Sequence, residues 1–464
     1  MRLKLKVLGP LIGACSLLFG QHEELTFRNF GIKEGLSQST ITYIFQDKKG
    51  FLWFATSDGL NKFDGYSFTT YKNNYLNTNS LSDSWVNLIT EDSDNNLWMF
   101  TADRNINVLN LCSQKITRFV PGKDELQSFP PFDKGFFIQE DSHKNVWIST
   151  NSGILKFDKK IKKFTVYHHH LIAPINRKED FIFYMFEDSR GLLWFAATDG
   201  LYQYDNKTSY FKKFQNQSSG LLSAKIIKIE EDKSHMLWVI TSKGLNLYIP
   251  QTDRFISFPF PDNFDFDLKS AFVSTKIDRQ GFIWIGTNKG LYRFDSGNGH
   301  YYLYHSKPKV KGTLSNTSVT SILEDKSGTI WIGTQNGLNR YNPVSDNFDS
   351  YYSPENNASN DITNILEDKN GDILTIGKME PAKGGYLSML NTTTGILETQ
   401  LSNKCNRNSI ASSFVYQPFT DRSGDIWLCT FGDGVVQYIP QSRKFEYYPS
   451  IAGNSNLLGG SSVW

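Results

Sequence analysis

Nine aspartates stand at one recurring offset in this 464-residue chain: Asp47, Asp92, Asp141, Asp188, Asp232, Asp278, Asp325, Asp368 and Asp421. So many acids raise two chemistries. One is acid–base or nucleophilic work by paired carboxylates, as in cleavage of glycosidic bonds. The other is calcium binding, and Asp92-Ser93-Asp94-Asn95-Asn96 opens as a calcium loop does. That loop fails at its sixth place, where Leu97 stands for glycine, and Asp103 replaces the closing glutamate. His168, His169 and His170 raise metal ligation, but side chains alternate faces along an extended strand, so three neighbours do not converge on one ion. No HExxH, GxSxG or GxGxxG motif occurs. The four cysteines, Cys15, Cys112, Cys405 and Cys429, have no CxxC spacing and read as small buried hydrophobes. The expectation is no catalytic set, no metal and no cofactor.

The aspartates make better sense as turns. Each stands six residues before Trp53, Trp98, Trp147, Trp194, Trp238, Trp284, Trp331, Leu374 or Trp427, at intervals of 43 to 53 residues. Glycine usually follows three places after the aspartate, and Asp-x-x-Gly suits a type I turn. Asn95, Lys144 and His235 are the exceptions. A short strand such as ITYIFQ precedes the turn and an apolar strand such as FLWFAT follows it. A second tight turn, x-x-Gly-Leu, leads into a third strand, and an aromatic fourth strand completes the unit. Four antiparallel strands per unit predict an all-β fold, a β-propeller. The expected organisation is a seven-bladed propeller over residues 21–352 and the first two blades of a second over 353–464. LTFRNF (25–30) reads as a stray fourth strand that completes some blade and locks a ring.

Composition agrees. Hydrophobic residues make up 39% and charged residues 21%, which excludes bulk disorder, and aromatic residues reach 14% with 35 glycines. With 49 basic against 47 acidic residues and no basic block, nucleic acid is not an expected partner. Residues 1–20 read as a secretory signal peptide, basic in MRLKLK and apolar after it, with cleavage after Gly20. A lipoprotein reading would use Cys15, which lies inside the apolar run. No later stretch reaches 18 apolar residues, so the mature chain is expected to be exported and unanchored.

Recognition in a repeat scaffold belongs to loops that vary while the frame recurs. The dipeptide after each second strand varies: Ser57-Asp58, Asn151-Ser152, Thr198-Asp199, Ser242-Lys243, Asn288-Lys289 and Gln335-Asn336. The links between blades, such as residues 73–85, share that face, opposite the Asp-x-x-Gly turns. Trp85 lies outside the tryptophan register and suits stacking on a sugar ring. Asp103-Arg104-Asn105 replaces x-x-Gly in unit two, and Arg104 suits an anionic group. Asp58, Trp85, Arg104, Asn151, Asp199, Lys243, Lys289 and Asn336 are therefore the candidate ligand-binding residues. Unit eight carries an insertion, KMEPAKGG (378–385), and no tryptophan.

The unit D-x-x-G-x-[IL]-W-x-[GA]-T-x-x-G-L resembles the two-component regulator propeller repeat, and GLSQSTITYIFQDKKGFLWFATSDGLNKFDGYSF (35–68) is similar to that family's first blade. The resemblance covers residues 24–464. It implies the periplasmic sensor region of a hybrid histidine kinase that detects oligosaccharides or other small periplasmic ligands. It also implies a homodimer and a membrane anchor, kinase and receiver beyond residue 464; none of the kinase residues maps onto this chain. Ser462-Val463-Trp464 falls at the start of a first strand, which is the expectation for a longer protein. The alternatives are a secreted propeller enzyme acting on polysaccharide and a non-catalytic adhesion propeller.

Overall fold

The structure, a computed structural model, describes residues 26–120, 135–151, 153–167, 182–214, 216–261, 274–353, 360–378, 385–392, 394–400, 415–430 and 433–439. Residues 1–20, His168–His170, Cys405 and most of the 378–385 insertion lie outside these residues. The described chain forms nine four-stranded antiparallel sheets. Among the described residues, helix is confined to a 3-10 turn at Ile32–Glu34 and one helical turn at Asn216–Ser219. No described helix is long and apolar enough to cross a membrane.

Eight of the sheets are up-and-down meanders of consecutive strands. In blade one the strands are Ile41–Gln46, Leu52–Thr56, Gly59–Phe63 and Phe68–Tyr71. The second strand is buried along its whole length because both of its faces meet a neighbouring blade. The core therefore lies between sheets. Trp53, Ala55 and Leu60 of blade one pack with Val86, Ile89, Leu97 and Met99 of blade two, and comparable clusters fill the other junctions.

The repeated aspartate performs two tasks, of which spacing revealed one. In blade seven, Asp325 Oδ1 accepts the backbone N–H groups of Ser327 and Thr329, both at 2.9 Å, and so fixes the turn. Its Oδ2 accepts the indole N–H of Trp331 at 2.8 Å. The same pair joins Asp47 to Trp53 and Asp421 to Trp427, and recurs in eight of the nine blades. A buried indole N–H needs an acceptor, so the tryptophan both fills the gap between sheets and ties the turn to the second strand. In unit two, Asp92 makes these turn and indole bonds rather than opening a calcium loop. Where glycine is missing from the turn, Asn95, Lys144 and His235 take φ of 60°, 68° and 59°, the left-handed region that glycine enters most easily.

A second device joins the blades. The residue before the aspartate is often glutamate, and its carboxylate accepts the first turn N–H of the preceding blade. Lys48 N–H donates to Glu91 at 2.6 Å, Ser142 to Glu187 at 2.9 Å, Arg279 to Glu324 at 3.0 Å and Lys326 to Glu367 at 2.8 Å. Between blades nine and one the acceptor is Gln46, which receives Arg422 N–H at 2.8 Å.

That last bond corrects the expected organisation. Seven blades do not close with two left over; nine blades form one ring. Blade seven already has its own fourth strand, Asn347–Tyr351, and packs directly on blade eight across the expected boundary, with Trp331 and Leu338 against Ile362 and Ile373. Blade nine supplies three described strands, and Thr26–Phe30 takes the fourth place by pairing with Val435–Ile439. The strand at Thr26–Phe30 is the expected lock, and the blade that it completes is the ninth. Phe30, Ile41 and Phe54 then pack on Trp427 and Cys429 to seal the junction with blade one.

Candidate functional site

The turns after the second strands owe their shape to a threonine and a glycine. Thr56 Oγ1 donates to Gly59 O at 2.8 Å and accepts Asp58 N–H at 3.1 Å. Thr287 and Thr334 do the same with Gly290 and Gly337, each at 2.9 Å. The glycines have φ of 131°, 131° and 115°, and a Cβ on Gly290 would lie 2.6 Å from Tyr304 O, so both conformation and space demand glycine. The frame is thus fixed by the backbone, and the preceding residues are presented to solvent.

The candidate residues occupy this face one blade at a time: Asp58 in blade one, Trp85 and Arg104 at blade two, then Asn151, Asp199, Lys243, Lys289 and Asn336 in blades three to seven. They ring the face rather than converge on one point. Only Trp85 and Arg104 are brought into adjoining segments, since Ala102 N–H donates to Trp85 O at 3.0 Å. Trp85 is half exposed, and Arg104, with φ of 68°, is one residue more than blade one has in this turn, since Asn105 stands at the place of Gly59 and accepts Thr101 Oγ1 at its carbonyl. Asp58 is bridged to Lys72 at 2.7 Å in its own blade. Asp199 is mostly buried, holding Lys213 at 2.5 Å and the Tyr202 hydroxyl at 2.7 Å, while its Oδ1 has no partner among the described residues. Lys243, Lys289, Asn336 and Asn151 are exposed.

Two links between blades are built alike. In residues 73–85, Ser80 Oγ donates to Asn74 O and Asn77 O, and Asn74 N–H donates back to Ser80 Oγ. In residues 305–318, Thr313 Oγ1 makes the same bonds with Lys307 and Val310. Both links end on the candidate face, where Ser82 and Ser315 N–H groups donate to Asn107 and Asn339. Their tips reach further, over the outer strand of the next blade: Arg118 holds Ser80, and Phe348 N–H donates to Gly312 O.

The opposite face carries clefts that the sequence reading missed. One of about 680 Å³ lies between blades six and seven, lined by Trp284, Arg293, Glu324, Arg340 and Tyr341 among others; another of about 600 Å³ lies between blades nine and one. Arg293 stands opposite Trp284 in the strand ladder and stacks on Tyr302 at 4.4 Å and Phe282 at 5.0 Å. The Tyr304 and Tyr341 hydroxyls both donate to Asp346 Oδ1, at 2.6 and 2.7 Å. Burial and the bond to Asp346 push the Tyr341 phenol up to about 12 and raise Tyr304 further, so both stay neutral. Burial raises the Asp346 carboxyl, but the two tyrosine bonds outweigh it and hold the group below its ordinary value. A usable signal existed: Lys62, Lys156, Arg293 and Arg340 each stand nine residues after a repeat tryptophan. This wall can bind and orient a ligand. Among the described residues no group of three His, Cys, Asp or Glu side chains is placed to hold a metal.

Comparison with known proteins fits this architecture. The model of the two component regulator propeller repeat matches residues 35–58 and 313–336. A histidine kinase of Formosa agariphila, Histidine kinase P4, is 48% identical over 65 residues, which are 14% of this chain and 5% of that protein. The chain thus spans a small part of the curated relative that it matches. Among solved structures, the extracellular domain assigned to a hybrid two component system of B. thetaiotaomicron is 17% identical, covering 90% of this chain and 84% of that one, with a TM-score of 0.32. Virginiamycin B lyase of Staphylococcus aureus is 14% identical, covering 67% of this chain and 96% of its own, with a TM-score of 0.39. Likeness at that level does not speak to function. On the matched units, this chain carries the repeats of the two component regulator propeller family.

Proposed function

We propose that the propeller is the ligand-sensing region of a two-component sensor, exported to the periplasm, which binds a small ligand of the oligosaccharide class without converting it and passes the occupancy to a kinase elsewhere in the full protein. The observation that supports this reading is the recurrence of the turn frame, a threonine bonded to a glycine in blades one, three, five, six, seven and nine, against the variety of the residues it presents: Asp58, Lys243, Lys289 and Asn336. A face of that design suits recognition. The candidate acids are spread over separate blades, whereas hydrolysis needs two carboxylates within reach of one bond. Occupancy would shift the pairing of sensor subunits, and a ligand does so only through different affinities for two states.

Calorimetry of the exported chain against a panel of neutral and acidic oligosaccharides, with chromatography of the recovered sugars, tests the reading. Saturable binding with sugars returned intact is expected. Cleaved sugars would replace the sensor with an enzyme, and an absence of binding to any member would overturn the oligosaccharide class.

A further inference from the structure

We infer that the link between blades six and seven forms an anion-binding site, from Lys289 on the candidate face to the loop Lys307-Pro308-Lys309-Val310-Lys311 at the outer rim, and that it takes a sulfate- or carboxylate-bearing oligosaccharide. The inference rests on the reading of this face as a ligand face and names the ligand's chemistry.

Geometry brings these residues together. His305 Nδ1 lies 3.0 Å from Lys289 O, so the start of the link sits on the turn of blade six. Val310 N–H donates to Lys307 O at 3.1 Å, which folds 307–310 into a tight turn. Thr313 closes the loop behind it through Lys307 and Val310, and Gly312 is fastened to Phe348. Lys307, Lys309 and Lys311 are exposed on this closed loop. None of the three forms an ion pair among the described residues, although Asp349 stands one residue beyond Phe348. Like charges on one short loop repel one another, and an anion bound among them relieves that repulsion.

The backbone shows how the charge is presented. Pro308 and Lys309 occupy the central places of the turn, and Lys309 has φ of +65°. A turn led by proline with positive φ at its third residue favours glycine there, because an L side chain is disfavoured in that region. The sister turn, Asn74–Asn77, has the same closing bonds and needs no such residue: its tip is Tyr75-Leu76, and neither is among the residues with positive φ. Lysine thus stands, with its charge outward, at the tip of a turn that glycine would relax. A membrane surface is the weaker match for this tip. Val310 is its one exposed large apolar side chain, and stable membrane attachment needs a second anchoring element beside a few basic residues.

Binding of the whole chain is measured by calorimetry at low and high salt, using a sulfated tetrasaccharide, an oligogalacturonide and a neutral cello-oligosaccharide, with anionic phosphatidylglycerol vesicles as a further arm. Acidic sugars should bind, and more weakly as salt screens the site. Lys307→Gln with Lys309→Gly and Lys311→Gln should weaken them by about ten-fold, the product of three modest surface contacts. Lys309→Gly alone keeps the turn and should melt no lower than wild type while binding acidic sugars less tightly. Equal binding of acidic sugars by wild type and triple variant would overturn the site. Neutral sugars bound alike by both, with no preference for acidic ones, would leave the sensor reading standing and remove the anion site. Vesicle binding lost in the triple variant, without sugar binding, would assign the loop to a membrane instead.

Discussion

Blades seven and eight are neighbours with the same strands and the same turn, and they differ at one residue that exposes how the repeat works. Blade seven pairs Asp325 with Trp331. Blade eight has Leu374 in that place; Asp368 still caps its turn through Asn370 and Asp372 N–H groups, but its Oδ2 is buried with no hydrogen-bond partner among the described residues. Leu374 is wholly buried in the cluster shared with blade nine, so the apolar half of tryptophan's task is met. Filling the gap and satisfying the carboxylate are separable, and blade eight does only the first. The same blade holds a second unpartnered group, Thr375 Oγ1. At its far side the glutamate lock is also missing: Thr420 stands where six of the blades have glutamate, and Lys369 bridges to Asp425 at 3.1 Å instead.

This contrast can be broken in stages. The largest effect is expected from Trp331→Ala, which removes a buried aromatic together with its bond to Asp325 and should cost about 3–5 kcal/mol in denaturant unfolding. Trp284→Ala should cost a similar amount, because its blade is built the same way; an unchanged melt for either would contradict the burial. Next, Asp325→Asn leaves one oxygen to serve both the turn and the indole and should cost about 1–3 kcal/mol. Asp368→Asn should be within about 0.5 kcal/mol of wild type, since its second oxygen has no partner to lose. Equal costs for the two would mean that the indole bond contributes nothing.

The pH dependence sharpens the same point. Burial raises the Asp325 carboxyl, but the bonds from Ser327, Trp331 and the backbone outweigh it and hold the group below its ordinary value of 3.8. A carboxyl depressed by folding contributes stability that is present above its unfolded value and lost as pH falls through the folded one. Stability should therefore drop as the pH is taken below about 4, and the drop should be smaller in Asp325→Asn. The smallest effect is expected from Glu367→Ala, which removes the lock between blades seven and eight and should cost about 0.5–1.5 kcal/mol. It would make that junction resemble the one between blades eight and nine.

Much of this was readable in the sequence, and what was not has a physical reason. The turn aspartates, the strand order and the burial of tryptophan follow from spacing within one unit, where each partner lies a few residues away. The glutamate locks were missed because Glu91 and Glu324 find their partners in the preceding blade, more than 40 residues back. Ring size was misjudged for the same reason at greater range: Thr26–Phe30 pairs with Val435–Ile439, and nothing in a local pattern says which blade is left without a fourth strand. The turn residues on the candidate face were legible as variable positions on a fixed frame. That Asp199 is tied down by Lys213 and Tyr202 was not, because those bonds depend on side chains from two further strands.

The central structural claim is one ring of nine blades closed by the N-terminal strand, and a single cross-link tests it. Arg28 and Gln437 are register partners across that closure. Antiparallel partners have Cα atoms about 4.5–5.5 Å apart, within disulfide range. In a chain whose cysteines other than buried Cys429 are replaced by serine, Arg28→Cys with Gln437→Cys should oxidise to an intramolecular disulfide, found by mass spectrometry in a monomer as one peptide joining the two ends. Free thiols in the folded monomer after oxidation, or a disulfide found only between two chains, would contradict the nine-bladed ring.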